Sequence, residues 1–275
     1  MEKKPQILLT NDDGIRSPGL WAAAEALSQI GYVHVVAPRD QFSGAGRSMP
    51  ITSDGLIEIQ AVEINQQSWK VYAVGGSPAQ VVGHAILEVL TEPPDLVVAG
   101  INYGENLGNG ITISGTVGAA LEGAALGYPA LAVSLETDPG HHLSYSNEVD
   151  FSAAAYFTQL FGRLLLEKRF PEDVDALKVD IPSDATPETP WEITRVSRQP
   201  YFEPTRPSRQ SWDTPELVGY RRVDDLHQDG SDSDIYAVCI KRFVSVSPLS
   251  LDLTSRTDLQ ALEQDIRAAL KPQQA

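Results

Sequence analysis

The 275 residues carry 21 Lys and Arg against 37 Asp and Glu, a formal charge of −16, so DNA, RNA or an anionic membrane surface finds no positive field to exchange for its counterions. The hydrophobic fraction is 42%, enough for a sizeable buried core, and no apolar run reaches membrane-spanning length. One cysteine, Cys239, excludes an intrachain disulfide and a thiolate zinc cage, and the five histidines show no HExxH spacing, so a bound metal would rely on oxygen ligands, as Mg²⁺, Mn²⁺ and Ca²⁺ prefer.

The opening Met1-Glu2-Lys3-Lys4-Pro5 runs straight into Ile7 with no apolar leader, which sets the expectation of a cytoplasmic protein. Ile7-Leu8-Leu9-Thr10 is too short for a helix and predicts a buried strand. A helix follows, with Ser17 at its cap, Pro18 in its first turn, and Leu20, Trp21, Ala24 and Leu27 at helical spacing up to Gly31. Val33-His34-Val35-Val36-Ala37 predicts a second buried strand, and a strand-helix-strand unit implies a parallel pair. Polar strand-like stretches near 55–62 and 69–74 come next. A helix from about Pro78 to Leu90, the strand Leu96-Val97-Val98-Ala99, a helix from Thr116 to Leu126 and the strand Ala130-Leu131-Ala132-Val133-Ser134 continue the alternation. The pattern predicts an α/β fold, a Rossmann-like, doubly wound, mostly parallel sheet with helices on both faces. A long helix between about Asp150 and Arg169 completes a catalytic core over 1–170.

The texture changes over 171–275, expected to form one structural unit with the core. The stretch 199–216 holds four prolines and no periodicity and reads as a projecting oligomerisation arm, with Tyr201 and Trp212 as interface anchors or core residues. Ile235-Tyr236-Ala237-Val238 and Phe243-Val244-Ser245-Val246 predict return strands, with Cys239 a small core residue, and Asp258 to Leu270 a final helix. The acids Asp224, Asp225, Asp229, Asp232 and Asp234 lack EF-hand spacing and read as a solvated loop. His141-His142 follows Asp138-Pro139-Gly140 and reads as solvent-facing, with a supporting role near the site as the alternative.

Ligands of open α/β sheets bind beyond the carboxyl ends of the strands. The first strand ends in Thr10-Asn11-Asp12-Asp13-Gly14, two adjacent carboxylates whose repulsion a divalent cation would relieve; turn chemistry alone, with Asp as a cap and Gly at positive φ, accounts for the same residues. The loop after the second strand, through Ser43-Gly44-Ala45-Gly46, offers a hydroxyl and backbone amides. The loop Gly100-Ile101-Asn102-Tyr103-Gly104-Glu105-Asn106 supplies amide oxygens and glycines, poor packing material but good ligand material. Ser114-Gly115-Thr116 opens a helix of small residues, which suits a phosphate as readily as a simple cap. Together these ends fit metal-assisted phosphoester hydrolysis.

These motifs, with Ala37-Pro38, Ser114-Gly115-Thr116-Val117 and the late Ser245-Val246-Ser247-Pro248-Leu249, resemble the SurE-type survival-protein nucleotidases, densely over 7–135 and thinly over 150–230. The resemblance implies a phosphatase acting on nucleoside 5′- or 3′-monophosphates and on short polyphosphate, with one Mg²⁺ or Mn²⁺ per subunit and Ca²⁺ also compatible. It implies Asp12, Asp13, Ser43 and Asn102 as metal ligands, Asp12 and Asp13 being the catalytic pair, and Asn106, Ser114, Gly115 and Thr116 at the phosphate. It also implies a homodimer or homotetramer that exchanges a C-terminal arm. Gln80 in Gly76-Ser77-Pro78-Ala79-Gln80 stands where the family pattern carries an acid, and Ser247 stands where it carries Thr. The alternative is a nucleotide sensor that uses the same site without turnover. A haloacid-dehalogenase-type mechanism needs a second acid two positions on, which Asp12-Asp13-Gly14 lacks, so water rather than a carboxylate is expected to attack.

Overall fold

The computed structural model describes residues 3–64, 67–142, 146, 148–226 and 230–270. In chain order the elements are β1 (Gln6–Thr10), α1 (Pro18–Ser28), β2 (Tyr32–Pro38), β3 (Ile57–Ile64), β4 (Gln67–Val74) and α2 (Pro78–His84), which widens into a π turn (Ala85–Val89). Then come β5 (Leu96–Tyr103), a 3-10 turn (Gly108–Ile113), α3 (Gly115–Ala125), β6 (Ala130–Leu135) and α4 (Ser152–Glu167). The C-terminal part holds β7 (Ala176–Ile181), β8 (Trp191–Ile193), β9 (Phe202–Thr205), β10 (Gly219–Arg222), the single turn α5 (Asp234–Tyr236), a π turn (Ala237–Lys241), β11 (Val244–Leu249) and α6 (Leu259–Ala269).

Among the described residues, nine strands form one sheet in the order β3-β4-β2-β1-β5-β6-β7-β11-β8. The run from β4 to β7 is parallel, while β3 and β11 pair antiparallel with β4 and β7. Covered on both faces, the central strands can be apolar throughout. Ile7 and Leu9 face α1 and α4 with Leu20, Leu27, Phe157 and Phe161, whereas Leu8 joins Val81, Val97, Val117 and Ala120 on the α2 and α3 side. The alternation follows from the period of two along a strand.

Several local expectations are corrected. The segment 176–181 is a fully buried strand of the main sheet where no strand was expected. Ile235 to Val238 is not a strand but the α5 turn and the start of a π turn, because Ser233 Oγ accepts the Tyr236 N–H (3.1 Å) and opens a helical turn; a short apolar run has no period to tell the two apart. Cys239 therefore lies in that turn, half-buried, and burial pushes its thiol up to about 12, which makes it inert at neutral pH. Ser17 stands at the N-cap of α1 but makes no capping bond, and its Oγ is buried without a hydrogen-bond partner. Tyr201 is a core residue, 1% exposed, while Trp212 is 94% exposed.

The chain builds outward from β1 to β2 and β4, then returns to the other side of β1 with β5. The carboxyl ends of β1 and β5 thus flank the topological switch point, where open α/β sheets leave a crevice.

Candidate active site

At the end of β1 the turn is made by Asn11 rather than by the two acids after it. Asn11 closes the turn, its Oδ1 accepting the Gly14 N–H (3.1 Å) and its Nδ2 donating to Gly14 O (3.0 Å). That turn carries Asp12 and Asp13 into the crevice, both buried. The Thr116 hydroxyl donates to Asp12 Oδ1, and the Gly115 and Thr116 amides at the start of α3 also stabilise the Asp12 carboxylate. Asp13 accepts from Gln41 Nε2 at Oδ1 (3.1 Å) and from the Tyr103 N–H at Oδ2 (3.1 Å).

Burial pushes Asp13 up to about 8, and the neighbouring charge of Asp12 pushes in the same direction; Asp12 is raised as well, chiefly by burial. Two carboxylates forced together out of water suit a hard divalent cation, which would favour their charged forms. Asn102 donates Nδ2 to Gly104 O (2.7 Å), leaving its amide oxygen for a cation, and Ser43 lines the same cavity. Among the described residues no cluster of three or more His, Cys, Asp and Glu gathers around one point. The donor set that fits here is two carboxylates, an amide and a hydroxyl, as oxygen-ligated ions accept.

The cavity is about 650 Å³, and Asp12, Asp13, Ser43, Asn102, Asn106 and Ser114 are among its polar lining residues. Ser114 Oγ accepts the Val117 N–H (3.1 Å) and so caps α3. Thr116 and Gly115 lie behind this lining, on Asp12 instead of on open space. A Cβ at Gly115 would come within 2.7 Å of Asp12 Cβ and Oδ2, so Gly115→Ala is expected to displace that carboxylate, to lower kcat roughly a hundredfold and to cost about 1–3 kcal/mol of stability as a buried overpacking. Steady-state kinetics beside a melting curve check this.

Asn106 is held by residues that local patterns did not single out. Its N–H donates to Asp180 Oδ1 (2.7 Å), its carbonyl accepts from Lys178 Nζ (2.9 Å), and its Nδ2 donates to Ser134 Oγ (2.8 Å). Lys178, Asp180 and Asp234 are fully buried together, and Asp234 also accepts the N–H groups of Gly108 (3.1 Å) and Ser197 (2.9 Å). Asp234 is thus no member of a solvated loop. Asp232 pairs with Arg195 and Asp224 with Arg221, while Asp229 lies outside the described residues. Burial alone would discharge Lys178, but Asp180 and Asp234 outweigh it and hold the ammonium above its usual range.

His142 is a cavity residue, not a solvent-facing one. Gln80 completes a capping box on α2, its Oε1 accepting the Ser77 N–H (3.0 Å) while Ser77 Oγ accepts the Gln80 N–H (3.2 Å), and it also accepts from Ser53 Oγ (2.6 Å). Through the box and Ser53, the Gln80 amide ties down the loop after β2.

Glu105 lines the cavity too, and burial pushes it up to about 7 against a hydrogen bond from the Tyr201 hydroxyl. Its folded pKa lies above its unfolded one, so between about pH 4.5 and 7 the folded state holds a proton that the unfolded chain has released, and stability declines as pH rises through that window. Glu105→Gln is expected to flatten that part of the decline and to gain on the order of 2 kcal/mol at pH 8. Denaturant melts from pH 5 to 8 test the slope.

The family model for "Survival protein SurE" matches residues 7–203, which include every residue expected at the metal and the phosphate. The chain belongs to the SurE family. It is 42% identical over 261 residues to the 5′-nucleotidase SurE of Thermococcus gammatolerans, covering 94% of each chain. With that of Thermococcus kodakarensis it shares 40% over 266 residues, 93% of this chain and 96% of the relative. The SurE protein of Aquifex aeolicus superposes with a TM-score of 0.73 at 31% identity, covering 97% of this chain and 100% of that one. SurE membership agrees with the sheet order and the switch-point crevice. No helix among the described residues is long and apolar enough to cross a membrane.

Proposed function

We propose that this chain is a divalent-metal-dependent 5′-nucleotidase, a phosphoric monoester hydrolase that releases phosphate from nucleoside monophosphates. The observation that carries this reading is the buried pair Asp12 and Asp13 at the switch point, facing the same cavity as Asn106 and Ser114, in a chain whose SurE relatives are named 5′-nucleotidases. Asp12, Asp13, Ser43 and Asn102 would hold the ion, Mg²⁺ or Mn²⁺. When bound, it neutralises phosphate oxygens and acidifies an attacking water.

The protein's own part is positioning. Thr116 and the α3 amides fix Asp12, and Gln41 and the Tyr103 N–H fix Asp13, so neither carboxylate must reorganise as charge shifts. Asn106, gripped at both backbone polar atoms, and Ser114 stand on the phosphate side and orient the ester for attack by water. Hydrolysis of 3′-monophosphates and short polyphosphate, a cytoplasmic location, and a dimer or tetramer exchanging the 199–216 arm of the 171–275 region belong to the same reading. Trp212 on that arm and Leu217 just past it are exposed and support its pairing with another subunit, while buried Tyr201 at its root stays packed in this chain.

Phosphate release from AMP, GMP and 3′-AMP, with EDTA, Mg²⁺ and Mn²⁺ arms, tests the proposal. Metal-dependent release is expected. Folded protein that binds nucleotide and releases no phosphate with either metal would instead favour the sensor.

A further inference from the structure

The cavity is larger than a phosphate and a metal ion require, and part of its lining is aromatic. At about 650 Å³ it falls within the usual range of small-molecule sites, roughly 300–1,000 Å³. Besides the carboxylates, its lining includes His142, Phe202, Glu203, Pro204, Val218 and Tyr220, of which all but His142 come from β9, β10 and their approach. Phe202 and Tyr220 meet edge to face at 5.3 Å, and the rings of His142 and Tyr220 lie nearly parallel, 18° apart with centroids at 6.3 Å.

We propose that His142, Phe202 and Tyr220 form the platform on which the substrate's nucleobase stacks, which makes the β9–β10 hairpin a specificity determinant. The inference rests on the nucleotidase reading and deepens it.

Three observations support a built platform. The root of the hairpin is anchored: Tyr201 is buried and Phe202 packs edge to face on it at 4.7 Å, while Arg222 pairs with Phe202 and Tyr220 with Pro204 across the ladder. His142 Nδ1 lies 3.1 Å from the Tyr220 hydroxyl, and its ring sits over Gly104, where a Cβ would come within 2.7 Å of Nε2. Gln41 joins platform to catalytic pair, since its Nε2 donates to Asp13 Oδ1 (3.1 Å) and to His142 O (2.8 Å). A flat, π-faced group is what such a wall holds, and every base has one, so the platform favours nucleotides over base-free phosphates with little choice among bases.

The test compares AMP with ribose 5-phosphate, which keeps the ester and lacks the base, in the full chain with Mn²⁺. Tyr220→Ala and Phe202→Ala are each expected to lower the AMP to ribose 5-phosphate ratio of kcat/KM roughly tenfold to a hundredfold, and Tyr220→Phe, which keeps the ring, to retain most of it. Equal losses on both substrates, or no change in the ratio, overturn the platform. A readout independent of turnover separates this inference from the nucleotidase reading: saturation-transfer NMR of adenosine with EDTA present. Adenosine signal in the wild type that Tyr220→Ala abolishes upholds the platform even if no phosphate is released, whereas a wild type that leaves adenosine untouched overturns it even if AMP is hydrolysed.

Discussion

Asp13→Asn is expected to reduce AMP hydrolysis about a thousandfold or more while leaving the metal-free protein as stable as the wild type, or more so. Activity falls because the amide removes one of two charges that hold the cation, whose stabilisation of developing charge is worth several kcal/mol at tenfold per 1.36 kcal/mol. Stability moves the other way because Asp13 is buried next to Asp12 and pushed up to about 8, so its charged form opposes folding as pH rises from the unfolded value toward 8. A metal-free melt at pH 8 should therefore show an unchanged or higher Tm, and added Mn²⁺ should raise the Tm of the wild type far more than that of the variant. Loss of activity with a lower metal-free Tm would mean that Asp13 is a structural residue.

Lys178→Met should produce the reverse pattern, a large loss of stability from a residue outside the cavity lining. Removal of the ammonium leaves Asp180 and Asp234 facing each other in a fully buried space. Breaking a buried ion pair from one side costs about 3–5 kcal/mol, and in a chain of this size that lowers Tm by roughly 10 °C. Because Lys178 Nζ also binds Asn106 O and Asp180 binds the Asn106 N–H, the remaining activity should show a raised KM. The triple variant Lys178→Met, Asp180→Asn, Asp234→Asn should recover much of the Tm, since no uncompensated charge remains. A single variant that melts within about 2 °C of the wild type would contradict this reading.

The parallel sheet was legible because β1, β2, β5 and β6 each carry a near-continuous apolar run, which a strand covered on both faces tolerates. Reading the strand ends then located the crevice without any distance. The strand β7 escaped because Lys178 and Asp180 make it polar on paper, and their neutralising partner Asp234 lies 56 residues beyond Lys178, past the reach of any local pattern. Thr116 was legible as a hydroxyl at a helix start but not as the donor to Asp12, 104 residues away. Phe202 and Tyr220 lie in or beside a proline-rich stretch with no period, and what they face depends on where the hairpin folds back.

Together, the ends of β1, β2 and β5 would hold one divalent cation. A crystal of the full chain soaked in Mn²⁺, with anomalous difference density, tests it most directly. The prediction is a single strong peak within roughly 2.5 Å of oxygens from Asp12, Asp13, Ser43 and Asn102. A fully soaked crystal with no peak between Asp12 and Asp13, or with Mn²⁺ bound elsewhere in the cavity, would contradict it.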